Sequence, residues 1–138
     1  ALRDAHAQGE LMSLGELLDS APAGLLGPGG NSSAALTFYA QVWALAHFLV
    51  EGENGKYAKS LTTLLNDAVS GDVARRVVAV LGTDGARGLA SRRGPSVFVA
   101  YFNRDLAEAE REYRAFVERV VRPGSRGPIV EGRSPLRE

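Results

Sequence analysis

One run constrains the fold more than any other: AALTFYAQVWALAHFLVE, residues 34–51. It holds no Gly or Pro and is long enough for about five helical turns. On a wheel of about 100° per residue, Thr37, Ala40, Gln41, Ala44, His47 and Glu51 fall within one arc of roughly 120°. The bulky residues Leu36, Phe38, Tyr39, Val42, Trp43, Leu45, Phe48, Leu49 and Val50 take the rest of the surface. A helix apolar round most of its circumference is expected to be buried on several sides. The narrow stripe then faces solvent or a closely approaching neighbour, and Ala40 and Ala44 suit close helix approach. Tyr39 and Trp43, four residues apart, read first as core and second as the wall of a cleft. From Ala34 to Val50 the run is shorter than the ~20 residues a bilayer span needs, and Gln41 and His47 interrupt it, so no membrane span is expected.

The flanks are also helical in pattern. ALRDAHAQGELMSLGELLDS gives two short pieces broken at Gly9, the second opened by Ser13 with Glu16 at capping-box spacing and burying Leu14, Leu17 and Leu18. The segment Ala21–Ser33 is a Gly/Pro-rich loop whose Asn31, Ser32 and Ser33 offer caps. After the EGENG turn, KYAKSLTTLLNDAVSG is amphipathic, with Tyr57, Leu61, Leu64, Leu65 and Ala68 on one face and Gly71 as its stop. DVARRVVAVLG is read as helix, although its four valines also suit a strand. GTDGARGLASRRGPS is expected to be a second loop, carrying Arg87, Arg92 and Arg93. A last helical region runs to about Val121 with a break near Asn103, where Asn103 or Asp105 re-caps it. Pro123 ends it, and residues 123–138 read as an irregular tail or linker docked through Ile129 and Val130.

Little of the usual chemistry finds its residues. There is no cysteine, which removes disulfides and thiolate zinc sites. His6 and His47 are far apart, and HExxH is absent. No G-x-S-x-G elbow singles out a nucleophile. GLLGPGGNSS lacks the Lys of a phosphate loop, and GTDGARG fails in the same way. Acids and bases balance at 16 each, so no overall field draws in nucleic acid. The arginine cluster has the chemistry to grip a phosphate or carboxylate, but a solvated loop is the simpler reading.

One stretch carries a resemblance. YAQVWALAHFLVEGENGKYAKSLTTLLNDAVSG, residues 39–71, resembles the segment that follows the active site in peptidase-MA-like gluzincins, a group of HExxH-type zinc metallopeptidase-like proteins. Tyr39, Ala40, Gln41 and Trp43 match a Tyr-Ala-Gln-x-Trp pattern, Phe48 and Leu49 an apolar helix end, and Gly55, Lys56 and Tyr57 a Gly-Lys-Tyr turn. AYFNRDLAEAEREYRAFVERV is similar to the terminal helix, with Tyr113 where a Trp is common, and LMSLGELL to an earlier element. The likeness covers residues 9–121. It departs at Gly82–Pro95, which is longer than the pattern, and at VARRVVAVLG, which has no counterpart. In such enzymes two His of HExxH and a later Glu hold zinc, and the Glu within the motif is the general base. None of these is in the chain.

The resemblance therefore implies the non-catalytic C-terminal helical part of a zinc metallopeptidase-like protein. Zinc and catalysis would belong to the parent, with no cofactor in this chain, and the start at Ala1 reads as a processed product or excised domain. The family analogy points to export; the residues themselves leave the compartment open.

The expected fold is all-α: an irregular bundle of four or five helices over residues 1–122, with long Gly/Pro-rich loops and an extended C-terminal tail. Leu17, Phe38, Val42, Leu45, Leu49, Leu61, Leu64, Leu65, Phe102, Leu106, Tyr113 and Phe116 are its expected core. The expected interaction face is Thr37, Gln41, Ala44 and His47, with Tyr39 and Trp43 as cleft wall and no catalytic or metal-binding residue. The partner is the remainder of a parent chain, another protein or a second copy, with no nucleic acid. The alternative to the peptidase reading is a free-standing helical interaction or scaffold module.

Overall fold

Capping residues cut the chain into more pieces than its hydrophobic periodicity suggests. The structure, a computed structural model, describes residues 1–21 and 31–136, and among these it holds helices and turns without a strand. Most of the expected loop at Ala21–Ser33 lies outside the described residues. The fold is all-α, with eight α-helices among the described residues where four or five were expected: α1 (Leu2–Gln8), α2 (Leu14–Asp19), α3 (Ser32–Glu51), α4 (Ala58–Ser70), α5 (Val73–Ala90), α6 (Gly94–Tyr101), α7 (Leu106–Val120) and α8 (Arg126–Val130).

Local chemistry explains the boundaries. Gly9 closes α1 in the left-handed region. The Ser13 hydroxyl accepts from the Glu16 N–H at 3.2 Å, and the Glu16 carboxylate accepts from the Ser13 N–H at 2.8 Å. A second carboxylate, Glu110 of α7, takes the Leu14 N–H, so α2 is tied to α7 by its own first turn. Asn31 opens α3 by accepting from the Ser33 N–H at 2.9 Å. Asp105 opens α7 by accepting from the Glu108 N–H at 3.0 Å. At the far end of α7, the Arg3 guanidinium donates to the carbonyls of Val121 (2.9 Å) and Arg122 (3.1 Å), satisfying acceptors the helix leaves open.

Two segments depart from the sequence reading. The Gly-rich run from Gly82 is not a loop: α5 continues through it to Ala90, with one non-helical residue at Gly82 (φ 61°, ψ −137°). Gly82 supplies the positive φ of this kink, and the later glycines serve packing. Gly88 lies so close to Ser96 of α6 that an added Cβ would collide with the serine side chain. The tail also carries structure. It forms α8 and packs Ile129 and Leu136 against the core, whereas Val130 is 76% exposed.

The core is built mainly from α2, α3, α6 and α7, with Phe48 at its centre. The Phe48 ring stands 5.3 Å from Tyr57, 5.8 Å from Tyr113 and 5.7 Å from Phe116, centroid to centroid. Leu17, Phe38, Leu49, Tyr113 and Phe116 are buried as expected. Leu45, Leu61, Phe102 and Leu106 pack against this core half-buried, and Leu64 is half-buried too. Val42 and Leu65 are exposed, contrary to expectation. On α4 the inward position belongs to Asp67, which Arg76 and the Tyr101 hydroxyl (2.7 Å) satisfy, and this turns Leu65 outward.

Candidate functional site

α3 holds every residue that the sequence singles out for a site, and the structure divides them between two faces. Gln41 and Ala44 are fully buried. The Gln41 side chain lies against the backbone between α1 and α2: its Oε1 accepts from the Met12 N–H at 3.0 Å, and its Nε2 donates to the Met12 carbonyl at 3.1 Å. Its own backbone carbonyl accepts from the Tyr113 hydroxyl at 3.1 Å. The close neighbour of the small-residue stripe is thus this chain's own Met12 segment and α7. Gln41 and Ala44 are closed to an outside molecule.

The two ends of the stripe are more open. Thr37 borders a shallow cleft with Glu10, Met12 and Asn31. The His47 ring stacks on Trp43 with centroids 4.3 Å apart, and its Nδ1 lies 3.7 Å from Oε1 of Glu51, an oxygen buried without a hydrogen-bond partner.

The bulky side of α3 faces outward. Leu36 (62%), Tyr39 (47%), Val42 (40%), Trp43 (36%) and Val50 (55%) are all exposed. Trp43 also walls a cleft with Leu2, Arg3, Val121 and Ile129, so it is both surface and cleft wall, while Tyr39 is surface alone. The outward residues Leu36, Tyr39, Trp43, Ala46 and Val50 recur at spacings of 3, 4, 3 and 4. This signal was present in the sequence, hidden by the extra apolar residues around it.

α3 is also longer than the Ala34–Val50 run. With the 3₁₀ turn at Gly52–Gly55 it spans 24 residues, Ser32–Gly55, with a mean hydropathy of 1.3 in its most apolar window, of which 28% is buried. By length and composition it is able to cross a bilayer, so the length argument against a span does not stand. Gln41, bonded at both ends of its amide to Met12, ties the inner side of α3 to the segment between α1 and α2.

Two polar clusters elsewhere escaped the sequence reading. Around Tyr57, the phenol donates to Glu112 Oε2 at 2.5 Å, Lys56 Nζ donates to Glu112 Oε1 at 2.6 Å, and Asn103 Nδ2 donates to the Tyr57 oxygen at 3.0 Å. Burial works to raise the pKa of Glu112, but the hydrogen bonds from Lys56 and Tyr57 outweigh it and hold the carboxyl below its ordinary value. Burial, then the Glu112 hydrogen bond, pushes the Tyr57 phenol up. This cluster ties the turn after α3, where Glu53 and Asn54 sit at positive φ, to α7. In the second cluster, the hydrogen bond from Arg76 and then that from Tyr101 hold Asp67 below the usual carboxylate range. In both, this chain's own donors occupy the carboxylates, which marks them as structural. Tyr57 and Glu112 lie 55 residues apart in sequence and Asp67 and Tyr101 34, and no local spacing announces such pairs.

The arginines do not converge. Arg87 pairs with Asp84 at 3.2 Å and Arg93 with Asp19 at 2.5 Å, while Arg92 sits at φ 54° in the turn after α5. Among the described residues no group of three His, Cys, Asp or Glu is placed to hold a metal ion. No family model, curated protein or solved structure matches this chain.

Proposed function

We propose that this chain is a non-catalytic helical docking domain that packs the outer face of α3 against another protein surface. The observation that carries the reading is the outward row Leu36, Tyr39, Val42, Trp43 and Val50 on a helix whose Gln41 points in. Together these side chains leave on the order of 450 Å² of apolar surface in the open, a size at which a patch is often functional. Trp43 is the chain's one tryptophan, so its fluorescence reports on this face directly. In a dilute solution of the isolated chain, acrylamide should quench the partly exposed Trp43 well above the rate of a core tryptophan. Quenching as slow as that of a core tryptophan would mean that the chain covers this face itself, and the reading fails.

A second reading, the helical C-terminal part of a peptidase-MA-like protein, draws support from where Tyr39 and Trp43 lie. Both belong to the resembling Tyr-Ala-Gln-x-Trp pattern, and both are on the exposed face. In that reading the preceding catalytic half, with its zinc, covers the face. An HExxH motif and a following Glu in the parent reading frame ahead of Ala1 would support it, and a parent frame without them would remove it.

A further inference from the structure

We infer that the surface received by the outer face of α3 is the same face of a second copy, in an antiparallel two-fold pair. This rests on reading that face as a docking surface and adds the identity of the partner. The 3-4-3-4 row Leu36, Tyr39, Trp43, Ala46 and Val50 is the seam pattern of two helices packed side by side. Antiparallel pairing about a point between Ala44 and Leu45 sets Trp43 opposite Ala46 of the second copy and Tyr39 opposite Val50 of the second copy. Each bulky aromatic then meets a smaller residue, and the two-fold axis repeats both layers. Each register leaves one end residue without an apolar partner (Leu36 opposite Glu53 here, Val50 opposite Ser32 after sliding by one heptad), but sliding also forces the bulky Tyr39 and Trp43 into one layer, a poorer fit.

Charge does not oppose this partner. From Asn31 to Val50 there is no Asp, Glu, Lys or Arg, and the chain carries no net charge, so two copies meet without repulsion. A lipid surface fits less well, because the helix and its turn carry no Lys or Arg before Lys56 to engage anionic headgroups. Two patches bury on the order of 900 Å² together, below the ~1,200–2,000 Å² of a standard stable interface, so the pair is weak and depends on concentration.

Sedimentation velocity over about 5 to 500 μM tests this, a range that brackets the affinity of such an interface. The mass should rise from the 14.7 kDa monomer towards twice that value. Ala46→Glu, at a fully outward position, should weaken association at least ~10-fold with the circular dichroism and melting temperature of the dilute monomer unchanged; Trp43→Glu should weaken it as much, with some loss of monomer stability because the indole also packs beside Leu2 and Ile129. The chain has no cysteine, so orientation can be read separately: Tyr39→Cys mixed with Val50→Cys should give the mixed disulfide in preference to either symmetric one.

A monomer at every concentration with Trp43 freely quenched overturns the second copy and leaves docking to a different protein. A monomer with Trp43 shielded overturns both readings. Binding to phosphatidylcholine vesicles without self-association replaces the second copy with a lipid surface. A dimer that survives both Glu variants, or that favours the symmetric disulfides, overturns this seam.

Discussion

The two faces of α3 are both largely apolar, and the one fully buried polar side chain of the helix, Gln41, lies on the inner one. The inner face presents Ala35, Phe38, Gln41, Ala44 and Phe48 to the core; the outer face presents Leu36, Tyr39, Val42, Trp43 and Val50 to solvent. Gln41 is fully buried, while its neighbour Val42 is 40% exposed. The difference follows from what approaches each side. The backbone around Met12 runs between two helices, and its N–H and C=O need partners. A primary amide answers both at once. Small Ala44 beside it lets α7 come close, and the Tyr113 hydroxyl closes the arrangement on the Gln41 carbonyl. Hydropathy thus identifies the helix, but close approach and hydrogen bonding set its rotation.

The inner face breaks most severely at Phe48. Phe48→Ala removes a fully buried ring from contact with Tyr57, Tyr113 and Phe116. The expected loss is roughly 3–5 kcal/mol, read by urea unfolding of the dilute monomer, with a fall in Tm of more than ~10 °C. A loss below ~1 kcal/mol would mean that the aromatic cluster is not the centre of the fold.

Alkaline titration probes the same face through Tyr113. Burial pushes its phenol up to about 12. The folded state therefore favours the neutral form more than the unfolded chain does, whose phenol titrates near 10. The stability linked to this group is complete below pH ~10 and lost as pH rises from ~10 through ~12, a loss of roughly 2–3 kcal/mol. Tyr113→Phe should flatten that limb of the stability profile and leave the shallower dependence due to Tyr57 and Tyr101, whose phenols burial also pushes up. An unchanged alkaline limb in Tyr113→Phe would show that its hydroxyl reaches water.

Much of this fold was legible in local signals. The Ser13–Glu16 capping box, the stop at Gly71 and the cap at Asp105 are each written within four residues, and each is present. What was not legible depends on partners far along the chain. Gln41 reaches back 29 residues to Met12, and Asp67 is held by Tyr101, 34 residues on. The glycines after Gly82 resemble a loop in composition, and only α6 lying against Gly88 shows that they serve helix packing. For the candidate site, the sequence pointed to α3 but read Tyr39 and Trp43 first as core and second as cleft wall, and both are exposed. It assigned the docking role to the Thr37, Gln41, Ala44, His47 stripe because polarity usually marks the wet face. Here Met12 takes up the Gln41 amide internally, while Thr37 and His47 at the ends of the stripe stay partly open.

The finest test of the comparison uses adjacent residues. Gln41→Leu raises the hydropathy of a fully buried position, and on hydropathy alone it should stabilise. It also strips the Met12 N–H and C=O of their partner while keeping them covered. An unsatisfied buried group costs about 1–3 kcal/mol, so a net destabilisation of about 2 kcal/mol is expected. Val42→Ser lowers the hydropathy of an outward position that touches nothing essential to the monomer, and its stability should stay within ~0.5 kcal/mol of the parent. Both belong in one urea series at a concentration where the chain is monomeric, since any pairing through α3 would add a penalty to Val42→Ser alone. If Gln41→Leu proves neutral and Val42→Ser costly, α3 is rotated relative to the arrangement described, and its outer face is core.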